Sequence, residues 1–569
     1  MPPPLASAAT ARHPTPLMSR GRLIALLLVI AAVAALRLLA LDHLLVWHDE
    51  VFSLIRVFGY DQADVQARLF SGQLLNPDDL LRFQHPDPRH GWRDTLAALS
   101  EHPEHAPLYY LIARLAVELP IAPVAALRGV SAVFGLLLIP AVYWLMRELF
   151  GRSLAPWVAA VMVASSPLQF LYAQEARQYA LWTLLVVASS AALSRAMRRN
   201  SAGGWWTYAL LMTLGVYSHL LFLLMLPVHA GYGLYRLLAQ PDAAISPART
   251  ARRWAMATGG ALLAFTPWLW VMARRHDRVD HYTAWMQRPV GLEDILTAWG
   301  HHLTELFVDL GPSPEPGWLL LLLPIAWLTL RALRRAPGAG VAMMLLILLA
   351  YVGLVLGPDL LLGGSRSLHA RYALPALLAV QLMVAWSIGD AMRLGPRSLQ
   401  GRLALASLVV LVALGVLSQA AIIRADTWST KNFSAHNIEI ARRANAGHAT
   451  LILASESGVS TGELMSLAYH LRPGVRIWAE PPGQDVRPPL DGDLIIALTP
   501  SGRLRKALEK RGTLTAIPDT WQWFEASQPR ASTTTDSAAP ETLKTPQPHT
   551  SATSATPLHA ASTAFAIEP

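Results

Sequence analysis

Apolar runs of near-membrane length alternate with short polar gaps along most of the chain: 23–41, 127–146, 154–173, 178–194, 204–218, 220–235, 254–272, 317–333, 341–361, 373–390 and 403–423. Each approaches the ~20 residues that carry a helix across a bilayer. The pattern predicts about eleven transmembrane helices. The runs 204–218 and 220–235 are short, but both flanks of the pair are basic, so the chain must cross and return. Alternate gaps collect arginine: Arg12, Arg20 and Arg22; Arg147 and Arg152; Arg195, Arg198 and Arg199; Arg236, Arg249, Arg252 and Arg253; Arg331, Arg334 and Arg335; Arg393, Arg397 and Arg402. Cytoplasmic loops carry such an excess, which puts residues 1–22 and these gaps inside. Arg274, Arg275 and Arg278 fall on the outer side, where they either break that rule or meet a phosphate-bearing ligand.

The same topology assigns to the outside a long first loop (42–126), turns near 174–177 and 219, a loop at 273–316, the turn 362–372, and everything after 424. Within the first loop, 106–120 is apolar but too short to span, and predicts a helix lying in the interface. Beyond the last span the periodicity changes. Thr450–Ala454 and Asp493–Ala497 read as buried strands with helical stretches between them, so 424–526 is expected to be a small extracytoplasmic α/β domain. Residues 527–569 are rich in Ser, Thr, Ala and Pro and predict a disordered tail. No internal repeat is evident.

Composition agrees with a multi-pass protein of the plasma (inner) membrane: of 569 residues, 53% are hydrophobic and only 15% charged. The first run lacks a small-residue cleavage site after it and reads as a retained helix over 23–41, opening a membrane domain that extends to 423. The chain has no cysteine, which excludes disulfides, thiolate metal sites and thiol nucleophiles. A formal net charge of +9 reflects basic cytoplasmic loops and calls for no nucleic acid.

Candidate chemistry gathers on the outer side. Trp47-His48-Asp49-Glu50 follows the first span directly. Two acids at a bilayer rim are either the N-terminal cap of a helix starting near Val51 or a reactive group. The same face receives His102–His105 ahead of Pro107-Leu108-Tyr109-Tyr110, the turn Tyr172–Tyr179 with Glu175 and Arg177, Tyr217-Ser218-His219, and His369-Ala370-Arg371-Tyr372. Any one of these suits an ordinary boundary residue or snorkelling anchor. Their accumulation on one side, without a matching set inside, points to a site.

Trp-x-Asp-Glu after the first helix, the segment His105–Tyr110, Ser166–Leu181 with its Gln-Glu-Ala-Arg core, Tyr217–His219 and Arg371–Pro375 together resemble the family-39-type glycosyltransferases. These are GT-C membrane enzymes related to protein O-mannosyltransferases and lipid A aminoarabinose transferases. Ala106 stands where that pattern has the first of two prolines. The resemblance covers about 20–425 and implies a GT-C fold and transfer of a sugar from a polyprenyl-phosphate carrier to an envelope acceptor (lipid, glycan or protein) on the outer face. Asp49 is then the expected base, with Glu50 beside it. His105, Tyr109, Glu175, Arg177, Tyr179, His219, Arg371 and Tyr372 are expected to bind substrate, and Arg177, Arg274, Arg275 and Arg371 are available to the donor phosphate. A single displacement would invert the anomeric centre. No cofactor is certain. A divalent metal on Asp49, Glu50, Glu175, His48, His105 and His219 stays open. The rival readings are a transporter or flippase of a lipid-linked substrate and a non-catalytic scaffold.

Overall fold

A computed structural model describes residues 18–239, 246–277, 284–313, 315–431, 433–518, 520 and 522–527. Arg12, Arg278 and residues 528–569 of the tail expected at 527–569 lie outside them, while Ser527 ends a strand rather than opening that tail. By internal contacts the chain forms two units, 1–62 with 83–435 and 63–82 with 436–569.

The first unit is helical. Among the described residues, nine helices are long and apolar enough to cross a membrane: Arg20–Leu38, Pro123–Phe150, Tyr179–Arg199, Leu220–Ala239, Pro247–Arg274, Pro316–Arg335, Gly338–Leu362, Ala370–Met392 and Leu399–Arg424. Counting the bent pair in the expected run 154–173 as one span gives ten among the described residues, one short of the expected eleven, because the helix formed by the run 204–218 falls below spanning length. Ala202–Val216 is a 15-residue helix, and Ala155–Ser165 with Pro167–Ala173 forms a pair bent by 59°. The break falls at Ser166, which precedes a proline and therefore leaves the helical region, with ψ 122°. Its hydroxyl caps the second half by accepting from the Gln169 amide at 3.5 Å.

A break inside an apolar bundle strands carbonyls that water cannot reach, so neighbouring helices must supply donors. Arg37 from the first helix donates to Val163 and Ala164, both at 2.8 Å. Gln419 from the last helix donates to Ala164 at 2.9 Å, and Gln381 donates to Met162 at 3.3 Å. Gly415 faces the Ser165 carbonyl so closely that a Cβ would collide with it. Helices Tyr179–Arg199 and Ala370–Met392 form the buried centre. The outer helices leave leucines such as Leu320, Leu323 and Leu361 exposed, as a lipid-facing surface requires. The interfacial stretch expected at 106–120 forms the helix Leu108–Ala116, which buries Tyr109, Tyr110 and Ala113.

The second unit is an α/β layer around one six-stranded sheet: β1 (Leu74–Leu75), β2 (Thr450–Ala454), β3 (Arg476–Ala479), β4 (Leu494–Leu498), β5 (Thr513–Ala516) and β6 (Trp523–Ser527), in the order β1-β3-β2-β4-β6-β5. The centre is parallel, with Leu451 opposite both Arg476 and Ile495, and its continuous apolar strands are covered on both faces. β2 and β4 fall where the apolar runs predict them, β4 one residue later. β1 comes from the first loop and pairs antiparallel with β3, anchored by Trp478, whose indole donates to the Gly72 carbonyl at 2.8 Å.

Candidate active site

The segment after the first span turns into the helix His48–Val57, with Trp47 as its N-terminal boundary. Glu50 enters the first turn, where carboxylates are favoured. The Trp47 amide lies 3.4 Å from its Oε2, so the capping role is present but weak. The main partners are elsewhere. Oε1 accepts from Arg128 Nε at 2.7 Å and from the Ala176 amide at 2.8 Å; Oε2 accepts from Arg128 Nη2 at 2.6 Å and Lys431 Nζ at 3.2 Å. Arg128 spends its remaining protons on the carbonyls of Leu41, Leu44 and Leu45. Burial pushes the Glu50 carboxyl up, but Arg128 and Lys431 outweigh it and hold the group ionised. Glu50 thus ties the Trp47 turn, the Gln-Glu-Ala-Arg turn and the segment after the last helix together.

Asp49 is placed differently, its side chain 18% exposed at the edge of the buried cluster. Oδ2 accepts from Arg371 Nη1 at 3.0 Å and lies 3.7 Å from Arg177 Nη2. Burial raises its carboxyl, but Arg371 first and Arg177 next hold it down at about 2. Arg177 reaches back to the Asp49 carbonyl at 3.4 Å and Ser53 at 3.5 Å, and its guanidinium sits 5.7 Å over the Tyr179 ring. Arg371 packs between Trp47, at 5.6 Å, and Tyr372, at 5.2 Å. Two arginines from turns 194 residues apart therefore converge on one carboxylate.

Glu175 is 2% exposed, with Oε1 unpartnered, and burial raises its carboxyl to about 7 despite Lys431. Gln174, from the same turn, donates to the Leu39 carbonyl at 2.7 Å and fixes the turn against the first span. His105 and His102 flank Glu104 at 3.6 and 3.4 Å. Burial, then Arg56 and Arg177, depress the His105 imidazolium, so these contacts are not full ion pairs.

Other expected residues serve the frame. Tyr109 donates its hydroxyl proton to the Leu127 carbonyl at 3.0 Å. His219 stacks on Trp182 with ring centroids 4.4 Å apart, and its Nδ1 accepts from the Leu221 amide at 3.1 Å; burial takes its imidazolium down to about 3. Arg275 pairs with Glu101, and Arg274 stacks on Trp270 at 3.8 Å. Neither contacts Asp49. Three buried cations of the cluster escaped the sequence reading: Arg128 and Lys431, which hold Glu50, and Arg56, whose spacing seven residues after Asp49 on one helix was the available signal.

The donor set fits a resident divalent metal poorly. Glu50 is consumed by cations, the His219 Nδ1 by a backbone amide, and among the described residues no group of three or more His, Asp or Glu side chains is arranged around one point.

Residues 103–271 match the family model described as dolichyl-phosphate-mannose-protein mannosyltransferase. That interval contains His105–Tyr110, Ser166–Leu181 and Tyr217–His219, three of the five segments that carried the resemblance. The fold is similar to ArnT from Cupriavidus metallidurans bound to undecaprenyl phosphate, with a TM-score of 0.50 at 12% identity over 90% of this chain and 100% of that one. The apo state of the same protein gives 0.49 at 12% identity, covering 90% and 99%. Archaeal oligosaccharyltransferase AglB from Archaeoglobus fulgidus, in complex with an inhibitory peptide and a dolichol-phosphate, gives 0.46 at 13% identity, covering 90% and 75%. No curated protein compared with the chain matches it in sequence. The polytopic membrane architecture expected from the sequence is borne out. The fold is the expected GT-C type.

Proposed function

We propose that the protein moves a sugar from a polyprenyl-phosphate carrier to an envelope acceptor on the outer face of the inner membrane, with inversion. The observation that carries this is the Asp49 carboxylate held between Arg371 and Arg177 at the end of the first span, where a phosphate on a lipid tail arrives. A carboxylate held at about 2 is a weak base. Once a donor phosphate shares Arg371 and Arg177, that depression is relieved and Asp49 can accept a proton. The acceptor hydroxyl then gives its proton to Asp49 while its oxygen bonds to the anomeric carbon. The bond from that carbon to phosphate oxygen breaks, and polyprenyl phosphate leaves with the electron pair, its charge met by the arginines. If the acceptor is a phosphate it arrives ionised, and Asp49 only orients it. Glu50 belongs to the scaffold in this scheme, and no step passes through a metal.

The charges gather in turns and at helix ends rather than at mid-membrane, which supports transfer over transport. The test is to incubate the purified protein in lipid nanodiscs with radiolabelled polyprenyl-phosphate sugars and envelope extract. A labelled product is expected, and no transfer from any such donor by folded protein overturns the proposal.

A further inference from the structure

Arg56 lies two helical turns beyond Asp49, so Asp49, Ser53 and Arg56 share one face of the helix His48–Val57. It is only 5% exposed. Nη2 reaches the Gln62 side chain at a long 3.4 Å, while Nε and Nη1 have no hydrogen-bond acceptor. The Phe52 ring, 5.7 Å from the guanidinium, compensates little of that charge. Buried guanidinium groups are otherwise found paired, because an uncompensated charge is expensive away from water.

Among the described residues no carboxylate hydrogen-bonds or ion-pairs with Arg56, although Asp49 and Glu104 act on it from a distance. Arg177 is buried nearby with its own Nε unpartnered. Glu104 acts on Arg56 only at a distance, its Oε1 facing His102 and His105. Five cations of this region, Arg56, Arg128, Arg177, Arg371 and Lys431, face the carboxylates of Asp49, Glu50, Glu104 and Glu175.

We propose that Arg56 and Arg177 form a seat for a substrate phosphate, with Arg56 the recognition residue that the Asp49–Arg371 contact leaves free. This rests on the transferase reading given above. The phosphate belongs either to the polyprenyl carrier or to the acceptor. The open Nε–H shares an edge of the guanidinium with Nη2, whose 3.4 Å contact with Gln62 is long, so that edge can present two N–H groups to two oxygens of one phosphate, which a lysine cannot do.

The experiment measures undecaprenyl phosphate binding to nanodisc-embedded wild type, Arg56→Met and Arg56→Lys, and then transfer at limiting envelope lipid extract. Wild type that neither binds the carrier nor transfers sugar sinks the transferase reading itself. Given an active wild type, carrier binding at least tenfold weaker in Arg56→Met, with Arg56→Lys between, assigns the seat to the donor. Unchanged carrier binding with at least a tenfold rise in KM for the extract, kcat being kept, assigns it to the acceptor. Wild-type behaviour of Arg56→Met in both assays overturns the proposal. Should Arg56→Met fail to fold, the thermal shift given by inorganic phosphate is compared in wild type and Arg56→Lys. A smaller shift in the lysine variant supports the seat and an equal shift overturns it.

Discussion

Asp49→Asn should move two measurable quantities in opposite directions. The carboxylate competes with any phosphate for Arg371 and Arg177, at 3.0 and 3.7 Å. A charge-assisted hydrogen bond contributes about 1.5–3 kcal/mol, and the Asp49–Arg371 contact is only partly buried, so the lower half of that range applies. Asparagine keeps the shape and removes the charge, releasing both arginines to the carrier. Affinity for undecaprenyl phosphate should rise about tenfold, the equivalent of about 1.4 kcal/mol. Loss of a positioned base should meanwhile lower kcat by about 10²–10⁴. Binding is read by displacement of a fluorescent carrier analogue from nanodiscs, and turnover by radiolabel transfer. Weakened carrier binding would refute the competition between carboxylate and phosphate. Unchanged turnover with a hydroxyl acceptor would refute the base.

Glu50→Gln leaves Arg128 and Lys431 buried without their shared anion, and should cost about 3–5 kcal/mol, seen as a lowered thermal unfolding midpoint; an unchanged midpoint would show that the cluster is hydrated. Glu175 is protonated more readily in the folded protein than in the unfolded chain, because its carboxyl is raised from 4.5 to about 7. Stability should therefore be greatest below about pH 4.5 for this group and fall between about 4.5 and 7, by at most about 1.4 kcal/mol per pH unit; Glu175→Gln should flatten that slope in thermal unfolding at stepped pH. Single cysteines placed at Asp42 and Ser313, both exposed, should react with an impermeant maleimide from outside, while one at Arg199 should react only after permeabilisation. The reverse pattern would invert the topology.

The helices were legible because membrane spans announce themselves locally, through runs of apolar residues closed by arginines. The break at Ser166-Pro167 was absorbed into a single run, since one proline in an apolar stretch signals a kink without saying how far it bends. Asp49, Arg177 and Arg371 were readable from motifs, but the use of Glu50 was not. Its partners lie 78 and 381 positions away, and no local period links them. Arg56 was overlooked because an arginine in an amphipathic helix ordinarily lies at the surface. β1 escaped for a different reason: two leucines in a loop become a strand only when β3 offers an edge.

The bend between Ser165 and Pro167 has a consequence for how the protein is made. Its freed carbonyls accept from Arg37, synthesised long before them, and from Gln419, synthesised some 250 residues later. Lys431 reaches Glu50 later still. A nascent chain halted before the final span would leave the bend without Gln419 and Glu50, at the outer rim, without Lys431. Quality-control proteases that sample membrane chains would thus find truncated products easy to distinguish from finished ones, because the Glu50 cluster is complete only after the last helix and Lys431 beyond it are made.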